Sequence, residues 1–126
     1  MLRLRAGVMQ FWEVKGILEA KALWEPVDLQ LEIEIAQAAD LMSDVLTQST
    51  GGELLLTGLA NSQVIRTAEM VDIKAIAFVH GKRPDEKTIE LARTKGIPLL
   101  TTRLFLFEAC ARLAMRGLTG SSGTIW

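Results

Sequence analysis

Glu53-Leu54-Leu55-Leu56-Thr57-Gly58 is a short apolar run closed by glycine, and Ala75-Ile76-Ala77-Phe78-Val79 repeats the pattern further along the chain. A strand with one wet face alternates apolar and polar residues; a run that stays apolar reads as a strand covered on both faces, as in a parallel sheet. Between the two runs, Asn61-Ser62-Gln63 opens a helix that continues to about Val71, with Val64, Ile65, Ala68 and Met70 as its apolar residues. Strand, helix and buried strand in succession make a βαβ unit, which predicts a parallel sheet with right-handed crossovers.

The same alternation extends in both directions. Downstream, the loop His80-Gly81-Lys82-Arg83 leads to Pro84, suited to a first helical position, and to Asp85 and Glu86, suited to the positive end of the helix dipole. This helix runs to about Thr94 with Gly96 as its C-terminal cap. Ile97 to Thr102 is a strand with Pro98 at its beginning, and Arg103 to Met115 is a final helix ended by Gly117. Upstream, Leu29 to Ile35 alternates strictly and predicts a half-covered strand at a sheet edge. Asp40 to Leu46 predicts a helix with Asp40 as N-cap and Leu41, Met42, Val45 and Leu46 as its buried stripe. Trp12 to Glu19 reads as a helix and Lys21 to Trp24 as a short strand, broken by Glu25-Pro26. The expected fold is a small three-layer α/β domain, a mainly parallel sheet of about four to five strands flanked by helices. The domain is expected over 12–118, with 1–11 as an N-terminal extension and 119–126 as a flexible C-terminal tail. Met9 is a second candidate start.

Composition narrows the function. Over 126 residues, 14 Lys and Arg balance 15 Asp and Glu, so the basic excess of a general nucleic-acid binder is missing. With 49% hydrophobic residues and 23% charged, the chain is too apolar for intrinsic disorder. One cysteine makes no internal disulfide. No apolar run approaches the roughly 18 residues of a membrane span, and Arg3 and Arg5 interrupt the N-terminus where a signal peptide would be apolar. A cytoplasmic protein without membrane attachment is expected.

Ligands of open parallel sheets bind beyond the carboxyl ends of the strands. That rule selects Ala38-Ala39-Asp40 with Ser43, then Thr57 to Ser62, then His80 to Arg83, and last Thr101-Thr102-Arg103. The candidate ligand-binding residues are Ser43, Thr57, Gly58, Asn61, Ser62, His80, Lys82, Arg83, Thr101 and Thr102. Each segment precedes a predicted helix N-terminus, whose free amides favour anions. The Thr57 to Gln63 turn is either a phosphate cradle or an ordinary strand–helix turn, with Gly58 needed for backbone geometry and Asn61 as cap. It is not a P-loop, because the G-x-x-x-x-G-K-[ST] spacing is absent. Lys82 and Arg83 can hold a phosphate or carboxylate, or form a solvated loop. Asp40 and Asp44, i and i+4 beside Ser43, fall short of a calcium cage. His80 has no second histidine for a metal, and Cys110 between Ala109 and Ala111 reads as a buried thiol. No catalytic constellation, cofactor or metal is expected. The run Leu104-Phe105-Leu106-Phe107 is apolar at every position, although adjacent helical positions lie about 100° apart. One of the four is expected to face a second subunit, unless the first of them still belong to the preceding strand.

Taken together, Asp40-Leu41-Met42-Ser43-Asp44-Val45-Leu46, Leu55-Leu56-Thr57-Gly58 with Gln63, Ala75 to Val79 followed by Gly81, and Gly96 to Thr102 resemble the DRTGG domain family. The resemblance covers Trp12 to Leu118. It implies a fold similar to the N-terminal domain of HPr kinase/phosphorylase, without its kinase domain. Such domains stand beside phosphate acetyltransferase domains and between CBS domains of some pyrophosphatases. There they are regulatory and often dimeric, and the CBS neighbours bind adenine nucleotides. Stand-alone versions, some near hydrogenase-type iron–sulfur genes, carry serine-kinase labels that this sequence does not support. The turn that names the family, here Thr57 to Gln63, lacks an acidic–basic pair after the glycine. Arg66 is the nearest charge on the following helix.

The expected function is a non-catalytic regulatory or interaction module. It is expected to be a homodimer, to sense an anionic metabolite or nucleotide at the strand ends, and to contact a partner protein from a metabolic or redox operon. The alternative is a small-molecule-binding or phosphoryl-transfer-associated enzyme domain acting on a phosphorylated metabolite.

Overall fold

The computed structural model describes residues 7–122. Its elements, in chain order, are β1 (Met9–Gln10), α1 (Phe11–Ile17), β2 (Lys21–Trp24), β3 (Glu32–Ile33), β4 (Ile35–Ala38), α2 (Met42–Gln48), β5 (Glu53–Thr57), α3 (Ser62–Met70), β6 (Ala75–Phe78), α4 (Glu86–Lys95), β7 (Leu99–Thr101) and α5 (Leu106–Met115). The main sheet has the order β2-β7-β6-β5-β4. β4, β5, β6 and β7 run parallel, and β2 adds an antiparallel edge to β7. Because the parallel strands are laid down in one direction, crossovers of one hand place α2, α3 and α4 on a single face. Met42, Val45, Val64, Ile65, Ile89 and Ala92 from those helices pack there on Leu55, Ile76, Phe78 and Leu99. The opposite face, Leu54, Leu56, Ala75, Ala77 and Leu100, is covered by α1 and α5 through Val14, Ala109 and Leu113. The layers are thus helix, sheet, helix, and the two apolar runs occupy β5 and β6 as expected.

Several local expectations are corrected. The alternating stretch Leu29 to Ile35 is not one strand. Glu32–Ile33 pairs antiparallel with Met9–Gln10 in a separate ribbon, and β4 begins only at Ile35. Leu29 and Leu31 pack half-buried on the core around the buried Ile33, so the alternation reports one packed side and one wet side without a ladder. Asp40 does not cap α2; Leu41 holds that position, and Leu41 and Leu46 are exposed while Met42 and Val45 are buried. At the sheet edge, α2 has room to bury only a narrow stripe. Pro84 precedes the N-cap of α4 instead of opening the helix. Asp85 is the cap, accepting from Thr88 N at 2.9 Å. Gly96 closes α4 at φ 73°, in the left-handed region where only glycine is unstrained. α5 starts at Leu106, three residues later than the pattern suggests, because Thr102 to Phe105 form the turn out of β7.

The described parts of the expected extension and of the expected tail both take part in the fold. Met9 and Phe11 are buried in the core. Thr119 bridges Ile35 on the outer edge of β4 and accepts from Ala36 N at 2.9 Å. Ser121 Oγ donates to Glu53 Oε2 at 2.8 Å. The remainder of the expected extension, 1–6, and of the expected tail, 123–126, lies outside the described residues.

Glu53 is fully buried at the start of β5. A buried carboxylate needs donors in place of water, and Thr50 N (2.7 Å), Gly51 N (2.9 Å) and Ser121 Oγ supply them. Glu53→Ala is therefore expected to lower unfolding free energy by about 2–3 kcal/mol, since hydrogen bonds to charged groups are of that order. Amide exchange at Ala36 should quicken as Ser121 loses its anchor; unchanged exchange would separate the two. The carboxyl of Asp85 is held below its ordinary value by the side-chain and backbone hydrogen bonds from Thr88. Its contribution is complete above the unfolded-state value, near 4, and is lost as pH falls through the lower folded one. Asp85→Ala should lower Tm at neutral pH, and the gap from the unsubstituted protein should close on acidification below pH ~4.

Candidate functional site

The four parallel strands present their carboxyl ends along one edge of the sheet, and the loops that follow carry the candidate residues. The arrangement centres on Asp40. Thr57, buried at the end of β5, donates its hydroxyl to Asp40 Oδ1 at 3.0 Å, and Gly58 N donates to the same oxygen at 2.7 Å. The amide that could cradle a phosphate therefore already holds a carboxylate of the chain itself. Thr57 Oγ1 in turn accepts from Leu59 N at 3.1 Å. Asn61 caps α3, its Oδ1 accepting from Gln63 N at 3.0 Å. Gly58 is not held in the left-handed region, contrary to the expected backbone requirement. A Cβ there would stand 3.6 Å and 3.7 Å from the two Asp40 oxygens and 3.7 Å from His80 Cδ2. Asp40 and His80 thus both border Gly58.

His80 follows β6 in the left-handed region, at φ 63°, and Gly81 continues it at φ 67°. A histidine is seldom held so, and such outliers persist where the surroundings over-determine them. Here His80 N donates to Leu104 O and Gly81 N to Thr102 O, both at 2.8 Å. This turn brings the exposed imidazole against Phe105, with ring centroids 4.6 Å apart and planes inclined by 30°. Phe105 itself is 61% exposed. Lys82 is exposed, and its carbonyl accepts from Thr101 Oγ1 at 2.6 Å. Thr102 is buried and donates its hydroxyl to Leu18 O at 2.6 Å, tying β7 to the end of α1. Arg83 is engaged with Glu86 at 2.8 Å.

The structure therefore brings Thr57 and Gly58 onto Asp40, sets His80 beside Gly58, and joins the Lys82 carbonyl to Thr101. Ser43 and Ser62 stand exposed in the first turns of α2 and α3 and bond to none of the others. Two residues outside the candidate list stand at this edge: Asp40, which local pattern makes a cap, and Phe105, which it makes part of a helix. Among the described residues, no three His, Cys, Asp or Glu side chains are grouped to hold a metal ion, and no helix is long and apolar enough to cross a membrane. Cys110 is half-buried, and burial pushes its thiol above the ordinary value.

No family model and no curated protein sequence matches the chain. Among solved structures, it is similar to the CBS and DRTGG domains of the regulatory region of Clostridium perfringens pyrophosphatase, crystallised with its activator diadenosine tetraphosphate. The two superpose with a TM-score of 0.70 at 18% identity, over 86% of this chain and 46% of the other. The fold is DRTGG/CBS-like. This chain spans about half the length of that regulatory region, and the likeness concerns architecture.

The Asp40 clamp is testable. Asp40→Ala leaves a buried hydroxyl and an amide without their acceptor and should cost about 1–2 kcal/mol in denaturant unfolding. Asp40→Asn retains an acceptor and should recover most of the loss. Equal losses in the two variants would show that the charge, rather than the hydrogen bonds, is what matters.

Proposed function

We propose that the chain is a non-catalytic regulatory module that binds an anionic small molecule, by preference a nucleotide, on the surface made by His80, Phe105 and Lys82. It would act as a homodimer and pass the signal to a partner protein. The observation that carries the reading is the division of labour at the strand ends. Asp40, Thr57, Asn61, Arg83, Thr101 and Thr102 are committed to internal bonds. Lys82 is an exposed cation two residues after His80, whose ring meets the exposed Phe105. A base stacks on aromatic faces whatever its identity, and an ammonium group serves the phosphates as a point charge. The regulatory setting of the similar pyrophosphatase region, with its nucleotide activator, supports the same reading.

A thermal-shift series against ATP, diadenosine tetraphosphate, acetyl phosphate and inorganic phosphate tests it. A ligand that binds only the folded state stabilises by about 2.7 kcal/mol at a hundredfold excess over Kd, a rise of several degrees in Tm. The rise is expected with nucleotides and should be lost in Lys82→Ala and Phe105→Ala. A flat series, or a rise unaltered in both variants, overturns the assignment. Turnover of the ligand, seen by phosphorus NMR, would favour an enzyme of phosphorylated metabolites instead.

A further inference from the structure

Within the main sheet, β2 alone runs against its neighbour. Its antiparallel course sets its first residue, Lys21, opposite Thr101, the last residue of β7. A lysine from the beginning of a strand is so delivered to the edge where the parallel strands end. Residues directly opposite in an antiparallel pair share a face, with Cβ atoms about 5 Å apart. That face is the one that α4 covers: Leu99 packs there, Leu100 packs on the other side, and Thr101 returns to the first by alternation. The hydroxyl of Thr101 agrees, since it reaches the carbonyl of Lys82 at 2.6 Å, in the loop that leads into α4. Arg103 follows Thr101 by two residues, no more than about 7 Å of chain. Three cations from three separate segments are thus gathered around the end of β7.

All three are exposed, and among the described residues none has an ion-pair partner. The carboxylates carried by the adjoining segments are already engaged, Glu19 by Arg112, Glu86 by Arg83 and Asp85 by the amide of Thr88. The backbone beneath the cations is held as well. Thr102 donates to Leu18 O at 2.6 Å, three residues ahead of Lys21, and Gly81 N donates to Thr102 O at 2.8 Å, one residue ahead of Lys82. We infer that Lys21, Lys82 and Arg103 together bind a chain of two or more linked phosphates laid across the end of β7. Gathered like charges repel one another, and a polyanion relieves that repulsion. A single phosphate offers its charge at one place, whereas a linked chain presents oxygens to cations arriving from three directions. The two ammonium groups act as point charges, and the guanidinium takes two oxygens with its planar fork.

The inference deepens the anion site proposed above and rests on that reading for the place of Lys82, but not for the ring pair. Isothermal titration of the full chain, at low salt and with chelator present, compares phosphate, pyrophosphate and tripolyphosphate. Affinity should climb with chain length and fall as salt is raised. Lys21→Gln and Arg103→Gln should each weaken tripolyphosphate binding about fivefold, the upper end for an exposed charge pair. Lys21→Arg should retain it, and the triple variant with Lys82→Gln should lose it. The three side chains are exposed, so circular dichroism should be unchanged. Absence of binding, equal binding of the three anions, or tripolyphosphate binding unaltered in Lys21→Gln would each overturn the phosphate site. ATP distinguishes this site from the nucleotide reading. ATP bound more tightly than tripolyphosphate, with the excess lost in Phe105→Ala, supports both. No gain for ATP over a cation-dependent tripolyphosphate removes the base from the ring pair and leaves the site as one for inorganic phosphate chains.

Discussion

Every residue of β5, from Glu53 to Thr57, is out of water, and the rest of the structure follows from that burial. A strand flanked by β4 and β6 and apolar on both faces must be roofed on both sides. The helices between the parallel strands provide one roof, and the first and last helices provide the other. The two polar residues at the ends of the strand cannot reach solvent either, so each recruits a segment of chain. Glu53 gathers the turn at Thr50 and Gly51 and the C-terminal Ser121. Thr57 gathers Asp40 from the end of β4. One buried strand thus fixes what covers the edge of the sheet at one end and the shape of the strand-end loops at the other.

The same reasoning shows why the core was legible in sequence and its periphery was not. Uninterrupted apolar runs have few foldings other than a doubly covered strand, so β5 and β6 and the helix between them stand where the pattern puts them. Alternation is less specific: Leu29, Leu31 and Ile33 give the same period whether the backbone joins a ladder or only drapes across a core. The stretch Thr119-Gly120-Ser121 has the composition of a loose end, yet it is held by long-range bonds to Ala36 and Glu53 that local pattern does not encode. Asp40 fails for a related reason. Ahead of a helical pattern, an aspartate reads as a cap, and its actual partners, Thr57 and Gly58, lie 17 and 18 residues away. Of the candidate residues, topology selects those at the strand ends, whereas the apolar character of Phe105 gives no such signal. The available signal was the unbroken run Leu104 to Phe107, too apolar for one buried helical stripe; both of its phenylalanines face outward.

Asp40 also changes how anion recognition at the strand ends should be understood. In an open parallel sheet, the free amides after a strand are the usual place for a phosphate, but here the amide of Gly58 is neutralised from within. A second anion brought to the same amide would face the carboxylate at close range and would have to break two hydrogen bonds to displace it. Lys82 and Arg103 stand exposed on the neighbouring loops, and it is there, rather than at the Gly58 amide, that the anion proposed above would find positive charge.

Helix α5 starts at that edge and carries its apolar character outward. Its N-cap, Phe105, carries the ring that meets His80, and Phe107, two residues later, is exposed. The turn into the helix is firmly held. Leu104 O accepts from His80 N, Thr102 Oγ1 accepts from Leu104 N at 3.2 Å, and Thr102 is itself tied to Leu18. A ligand that changes how Phe105 is held acts on the first turn of α5, and thermodynamic linkage makes any coupling to the proposed dimer reciprocal: if the ligand favours the dimer, dimerisation favours the ligand by the same factor. A small domain can regulate by such coupling alone, because ligand occupancy is converted into the population of one assembly state.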